Sequence, residues 1–264
     1  MPELPDVEAY RRRLSRHARG RRVRRTVVTD PGILRNVGAR ALDRALQGAR
    51  FEEPERHGKW LIAWTTGPAV LIHFGMTGDL QPAAGSEGRH RHDRVIFELD
   101  RGELRYRNMR KLGGLWLAHD AGEAHQLLGA LGPDALGLGR GRFVEAVGRR
   151  RGRVKAVLMD QTVVSGIGNL LADEALWRAR IHPATPVHRL RPEDLAALHR
   201  ALARVLRTSV ERHGNVPSAR GWLTAVRGRP GATCPRCRTP LARTVVGGRT
   251  TYLCPACQAP REGP

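Results

Sequence analysis

The hydrophobic pattern divides the chain into three stretches. Residues 3–19 place Leu4, Val7, Tyr10 (or the stem of Arg11) and Leu14 near one face, with arginines on the others. That spacing predicts a helix. Pro5 falls in its first turn, where a missing N–H costs nothing. From about residue 22 to 117 the pattern changes to short apolar runs. Trp60–Trp64 and Val70–Phe74 are separated by a Gly-Pro turn signal. Val95–Leu99 and Leu104–Arg107 flank Asp100-Arg101-Gly102, which reads as a tight hairpin, and Leu115–Leu117 is a further run. Short strands at this spacing predict a β-sandwich or a barrel. Residues 132–142, GPDALGLGRGR, hold four glycines and one proline and read as a linker. Beyond it the chain reads as helical to about residue 213. Leu195, Leu198, Leu202, Val205 and Leu206 form one apolar stripe that stops near Gly214. The expected division is a β-domain over 1–131, the linker 132–142, a helical domain over 143–225 and a cysteine-bearing unit over 226–264. No internal repeat is visible.

Length and charge narrow the function classes. At 264 residues the chain is long enough for about two domains with real cores. No apolar run approaches the roughly 20 residues that span a bilayer, and MPELPDVEAY lacks the basic start and apolar stretch of a signal peptide. A cytoplasmic protein with no membrane partner is expected. The net charge is +21, which predicts a polyanion as partner. Residues 11–25, RRRLSRHARGRRVRR, concentrate ten basic groups counting His17, although such a run is also how a solvated face keeps a protein soluble. Of the 46 lysines and arginines only Lys59, Lys111 and Lys155 are lysines. An arginine-biased genome accounts for the bulk. A retained lysine marks a place where a compact point charge fits and a planar fork does not.

The four cysteines are Cys234, Cys237, Cys254 and Cys257, two CxxC pairs sixteen residues apart. That spacing predicts four thiolates around one structural Zn²⁺, closed and therefore not catalytic. Between them, Arg243–Tyr252 reads as a short hairpin on which Arg249 is placed to reach a phosphate, or is one more surface arginine. The segment from Asp160 to Asn169 carries Gly166 and Gly168 between two helical stretches, with Lys155 on the first and Asn169 at the start of the second. A helix start after a tight turn suits a phosphate, and the plainer alternative is an ordinary turn with Asn169 as a cap. Removal of Met1 would expose the secondary amine of Pro2 beside Glu3, and an amine of this kind can form a Schiff base. Alone, those residues are an ordinary N-terminus. Lys59 and His73 stand at a strand entrance and a strand exit, both placed to reach phosphate. Met76 sits on a loop between glycines, in the manner of either a core filler or a wedge between bases. Arg110 and Leu112 lie on a second loop.

Together MPELPDVE, HGKW, HFGMTG, HDRVIFELD, DQTVVSGIGNLLADEALWRARIHP and the terminal CPRC…GRTTYLCPACQ resemble the formamidopyrimidine-DNA glycosylase/endonuclease VIII family. The match runs from residue 2 to about 258, and PELP resembles the formamidopyrimidine branch. The resemblance implies an α+β multidomain fold: an N-terminal β-sandwich flanked by helices, a helical helix–two-turn–helix domain, and a four-cysteine zinc finger, with DNA in the cleft between. It implies a bifunctional DNA glycosylase and AP lyase of base excision repair, a monomer at the bacterial nucleoid, acting on double-stranded DNA with damaged bases or abasic sites. The damaged nucleotide would be flipped out of the stack. Pro2 would form the imine and Glu3 would move protons. Lys59, Asn169 and Arg249 match phosphate-holding positions, with His73 and Lys155 beside them. Met76, Arg110 and Leu112 match the residues that fill the vacated place in the duplex.

Four departures stand out. Asn108-Met109-Arg110-Lys111-Leu112 replaces the family's Asp-Pro-Arg-Arg-Phe, so the wedge is aliphatic. Asp6 stands where Glu is usual, and Leu171 where Tyr is usual. Residues 213–229 form a shorter loop than the one that closes over 8-oxoguanine in the formamidopyrimidine branch, which puts excision of that lesion in doubt. Two other readings compete: a damage- or abasic-site-binding protein of the same fold without base excision, and a zinc-ribbon transcription or RNA factor, which leaves PELP and the β-domain unexplained.

Overall fold

The structure is a computed structural model and describes residues 2–214 and 219–260. In chain order the elements are α1 (Leu4–Ala18), β1 (Val23–Val28), α2 (Ala39–Leu46), β2 (Glu55–His57), β3 (Trp60–Ala63), β4 (Ala69–His73), β5 (Gly78–Ala83), β6 (Asp93–Leu99), β7 (Glu103–Asn108), β8 (Gly114–Ala118), α3 (Ala121–Leu128), α4 (Arg140–Gly148), α5 (Val154–Met159), α6 (Asn169–Ala179), α7 (Pro192–Glu211), β9 (Ala242–Val246) and β10 (Arg249–Leu253). They group into two compact units. One holds Pro2 and Asp6–Ala130, the other Glu3–Pro5 and the chain from Leu131 onward.

The first unit is a sandwich of two four-stranded antiparallel sheets, ordered β1-β6-β7-β5 and β2-β3-β4-β8. Alternation along the strands assigns the faces. Leu61 and Ala63 on β3, Val70 and Ile72 on β4, and Leu115 and Leu117 on β8 enter a core shared with Val95 and Phe97 on β6 and Leu104 and Tyr106 on β7. Their sequence neighbours Ile62, Leu71 and Ala118 form a separate cluster with Trp60, Trp64 and Trp116. The same sandwich core takes Val7, Leu14 and Ala18 of α1 and Leu42 and Leu46 of α2. Helix α2 lies inside the stretch expected to be all strand. Leu42, Ala45 and Leu46 do share one helical face, but eight residues are fewer than the stretch over which a helical period is read.

The arginine run at residues 11–25 is partly neutralised. Glu8, almost fully buried, accepts from Arg11, Arg12 and Arg56, and Arg13 pairs with Asp79. Arg16, Arg22, Arg24 and Arg25 remain exposed.

The second unit is helical around one core. Val154, Leu158, Val163, Ile167, Leu171 and Leu176 meet the α7 stripe Leu195, Leu198, Leu202, Val205 and Leu206. Leu171 therefore serves as core. Residues 132–142, expected as a linker, count with this unit: Gly132 donates to the Gln161 carbonyl at 2.8 Å and Ala135 to that of Ser165 at 3.0 Å. The cysteine segment adds the predicted hairpin, β9 paired with β10 through Arg249↔Val246.

Candidate functional site

The expected anion site at the α6 N-terminus exists, and its occupant is part of the chain. The Glu3 carboxylate accepts from the backbone N–H of Gly168 at 3.0 Å, Leu170 at 2.8 Å and Leu171 at 3.2 Å, while Leu4 N–H donates to the Gly166 carbonyl at 3.1 Å. Helix N-termini leave such N–H groups without internal partners and favour negative charge. Here Glu3, only 1% exposed, takes them. This corrects the expectation of a bound phosphate at the same amides: three of them are already committed. Glycine at 168 is required by the approach, since a Cβ there would lie 2.3 Å from the Glu3 carboxyl carbon. Pro2, the preceding residue, is half-buried.

Asn169 opens α6 half-exposed, and its Nδ2 donates to the Thr250 carbonyl on β10 at 3.0 Å. Arg249 next to it in the hairpin is exposed. Lys155 is different. Its side chain is completely buried, with Nζ 2.6 Å from Asp173 Oδ1 and donating to Thr251 Oγ1 at 2.7 Å. Arg227 pairs with the other Asp173 oxygen at 2.6 Å, and Tyr252 N–H donates there at 3.2 Å. Burial pushes the Lys155 ammonium below its ordinary value and Asp173 pulls it back. An enclosed, paired ammonium does not present itself to a ligand. The expected DNA contact at Lys155 is therefore corrected to a tie between α5, α6 and the hairpin.

The four cysteine sulfurs lie within 4.8 Å of one another. Cys237 and Cys254 are 3.4 Å apart, Cys237 and Cys257 3.5 Å, and Cys234 and Cys257 3.9 Å. Four thiolates about 2.3 Å from a zinc ion stand about 3.8 Å apart, so the cluster fits tetrahedral Zn²⁺. Among the described residues no other group of three or more His, Cys, Asp or Glu forms a candidate metal site. Trp177 on α6 donates its indole N–H to Cys234 Sγ at 3.3 Å, and the Arg236 guanidinium lies 4.5 Å from its ring centroid. The sequence offered no signal for that contact, because it joins residues 57 positions apart.

In the first unit, Lys59 follows Gly58 in the β2–β3 turn and is half-buried. His73 ends β4, its ring against Trp60, and accepts at Nδ1 from Gly75 N–H at 3.3 Å. Burial, with the Lys59 charge second, pushes its pKa down to about 4. With no anion beside it, the ring is uncharged at neutral pH. Met76 and Leu112 are large apolar side chains left 41% and 55% exposed, and Arg110 places Nη1 3.3 Å from Met76 Sδ. Met109, not singled out from the sequence, is 54% exposed beside them. His90 and His92, rings 5.1 Å apart among Arg89, Arg91 and Arg94, add a basic loop that was not singled out from the sequence.

Comparison with known proteins covers almost the whole chain. Residues 1–115 match the formamidopyrimidine-DNA glycosylase N-terminal domain, residues 131–220 that glycosylase's H2TH domain, and residues 231–260 a zinc finger found in FPG and IleRS. The chain is 38% identical over 261 residues to a protein of Symbiobacterium thermophilum named formamidopyrimidine-DNA glycosylase, covering 93% of this chain and 85% of that one. It is similar to a solved complex between Lactococcus lactis Fpg and DNA containing an abasic site, at 28% identity and TM-score 0.87, covering 98% of this chain and 100% of the other. A structure of MutM with DNA containing carbocyclic 8-oxo-G gives 27% identity and TM-score 0.89 over the same shares. No helix among the described residues is long and apolar enough to cross a membrane.

Two outcomes are expected. Asp173→Ala leaves Lys155 buried without its partner and lowers unfolding stability by about 3–5 kcal/mol in denaturant melts. Trp177→Phe keeps an aromatic ring but removes the donor to Cys234, and weakens zinc roughly tenfold in chelator competition; an unchanged zinc affinity would show that the indole N–H does not support the thiolate.

Proposed function

Because the chain belongs to the formamidopyrimidine-DNA glycosylase family, we propose that its DNA glycosylase and AP lyase chemistry runs through Pro2 and Glu3, working in the bacterial cytoplasm at the nucleoid. The observation that carries this reading is the three-amide clamp on Glu3, which fixes a carboxylate one residue from the proline amine. The Pro2 nitrogen attacks C1′ of the flipped nucleotide, and the C1′–N bond breaks as the base leaves with a proton. With the amine proton given up, the C1′–O4′ bond breaks as O4′ takes a proton, which opens the sugar to an iminium; this acidifies the C2′ hydrogen, so loss of that proton expels the 3′ phosphate. A second proton loss, from C4′, expels the 5′ phosphate. Glu3 accepts and returns protons along this sequence. Zn²⁺ takes no step; held by Cys234, Cys237, Cys254 and Cys257, it fixes the hairpin.

The DNA contacts follow the positions that the chain shares with its family: Lys59, Asn169 and Arg249 hold phosphates, with His73 beside them. Met76, Arg110 and Leu112 occupy the place vacated by the flipped nucleotide. Solved structures similar in fold hold DNA with an abasic site and DNA with carbocyclic 8-oxo-G. For this chain we favour abasic sites, ring-opened purines and oxidised pyrimidines over 8-oxoguanine, on the shorter segment 213–229. The centre of that segment, 215–218, lies outside the described residues.

Two measurements test the proposal. With Met1 removed, Pro2 presents a free secondary amine; a variant that retains one residue before Pro2 has an amide there instead, and should give no borohydride-trapped adduct with abasic duplex DNA while still binding zinc. An adduct of wild-type yield would move the imine elsewhere, and a wild-type chain that binds abasic DNA without trapping would leave a damage binder. In single-turnover excision, ring-opened purine should be released at least about tenfold faster than 8-oxoguanine; equal rates would remove the role given to the short loop.

A further inference from the structure

The arginine run at residues 11–25 ends in a surface to which the DNA contacts above give no role. It lies at one end of the sandwich. Strands β5 and β7 fix which end, because Gly78 pairs with Asn108 beside the Met76 loop and Ala83 pairs with Glu103 at the other extreme. Five residues of strand separate the two ends, about 17 Å. At the far end a cavity of about 390 Å³ is lined by His17, Arg21, Arg101 and Glu103, among others. Arg22 pairs with Arg50 in an antiparallel bridge, and its carbonyl accepts from Asp100 N–H at 2.9 Å, which brings Arg50 and the Asp100-Arg101-Gly102 turn to the same face. Arg19, Arg22, Arg50 and Arg101 are exposed and Arg21 is half-buried. Helix α1 stops here, and the carbonyls at a helix end favour cations. Arg21 Nε donates to the His17 carbonyl and Arg50 Nη1 to that of Gly20, both at 2.9 Å. Each bond uses one of five guanidinium donors. Carboxylates do not cancel the charge. Glu53 takes Arg19 at 3.1 Å, Asp100 stands 3.9 Å from Arg50, and the buried Glu103 is met by Arg89 and Arg105. Among the described residues Arg21, Arg22 and Arg101 have no ion pair.

We propose that this end of the sandwich binds a second DNA duplex, so that the protein touches one duplex here while the Met76 end addresses another. The proposal rests on the reading of the Met76 end as the face toward damaged DNA. Charge selects the class of partner. Five arginines beside two exposed carboxylates leave a net positive face, and neutralised phosphates release counterions whatever the base sequence. Apolar surface selects within that class. The exposed large apolar side chains are Met76, Met109, Leu112 and Val245, and none of them belongs to this face. A membrane surface takes an apolar anchor and a protein partner takes an apolar interface core, whereas a phosphate backbone needs neither. Two basic surfaces on one molecule allow passage between duplexes without full release. The second contact forms while the first persists, and at high DNA concentration it speeds departure from the first.

The test uses the full-length, zinc-loaded protein bound to a short fluorescent duplex and mixed in stopped flow with unlabelled undamaged duplex. The dissociation rate should rise with competitor concentration, at least about threefold at low salt and little at high salt. In the double variant Arg22→Ala, Arg101→Ala the rate should stay flat, while single-turnover imine trapping on a short abasic duplex is unchanged. Arg200→Ala, Arg204→Ala removes the same charge from exposed positions on α7 and should keep the rise. A rate independent of competitor in the wild type, or the same rise in the Arg22, Arg101 variant, overturns the proposal. Binding that tightens with the length of the labelled duplex, together with a flat competitor response, would give this surface to the flank of a single duplex and overturns it too. Capture of the wild type but not the variant by phosphatidylglycerol vesicles, with duplex inert as a competitor, would give it to a membrane and has the same consequence. A wild-type protein that never traps would defeat the lyase reading, while the competitor series would still judge this surface.

Discussion

The carboxylate of Glu3 held by three amides at the start of α6 is the constraint on which the site depends. A chain terminus is ordinarily the least ordered part of a protein. Here the third residue is locked into a helix end, and a nucleophile at residue 2 has about 3.8 Å of backbone, one Cα–Cα step, in which to wander. Glycine at 168 is part of the same lock. Any side chain there would occupy the space of the carboxylate. An anion-binding helix end has thereby become a clamp on a carboxylate of the chain itself.

The zinc finger serves this arrangement from within the second unit. Its strand β10 is bonded to the two helices that flank the turn: Thr250 receives Asn169, Thr251 receives Lys155, and Tyr252 N–H reaches Asp173. Burying Lys155, Asp173 and Arg227 together is costly unless each charge is met. The network meets them, and it fixes one docking of hairpin on helix. Trp177 adds a link between α6 and the metal-binding sulfur of Cys234. A structural metal can influence the chemistry in this way without touching a substrate atom.

Much of this was legible in the sequence because it is local. The short apolar runs between turn signals marked β3, β4, β6, β7 and β8, the leucine stripe marked α7, and the cysteine spacing predicted the cluster that the structure brings together. What escaped was long-range or short. Helix α2 is too brief to establish a period. The roles of Lys155 and of the α6 amides were misread because each is decided by a partner far away in sequence, Asp173 and Glu3. An isolated lysine in a basic chain looks like a phosphate ligand until its burial is known.

The central claim, that a clamped Glu3 presents Pro2 as the reacting amine, is tested most directly by locating the bond. After borohydride reduction on abasic DNA, digestion and tandem mass spectrometry should find the sugar remnant on a peptide that begins at Pro2, attached to its nitrogen. Only three lysines compete, and Lys155 is enclosed. A remnant on Lys59 or Lys111, with Pro2 unmodified, would contradict the account.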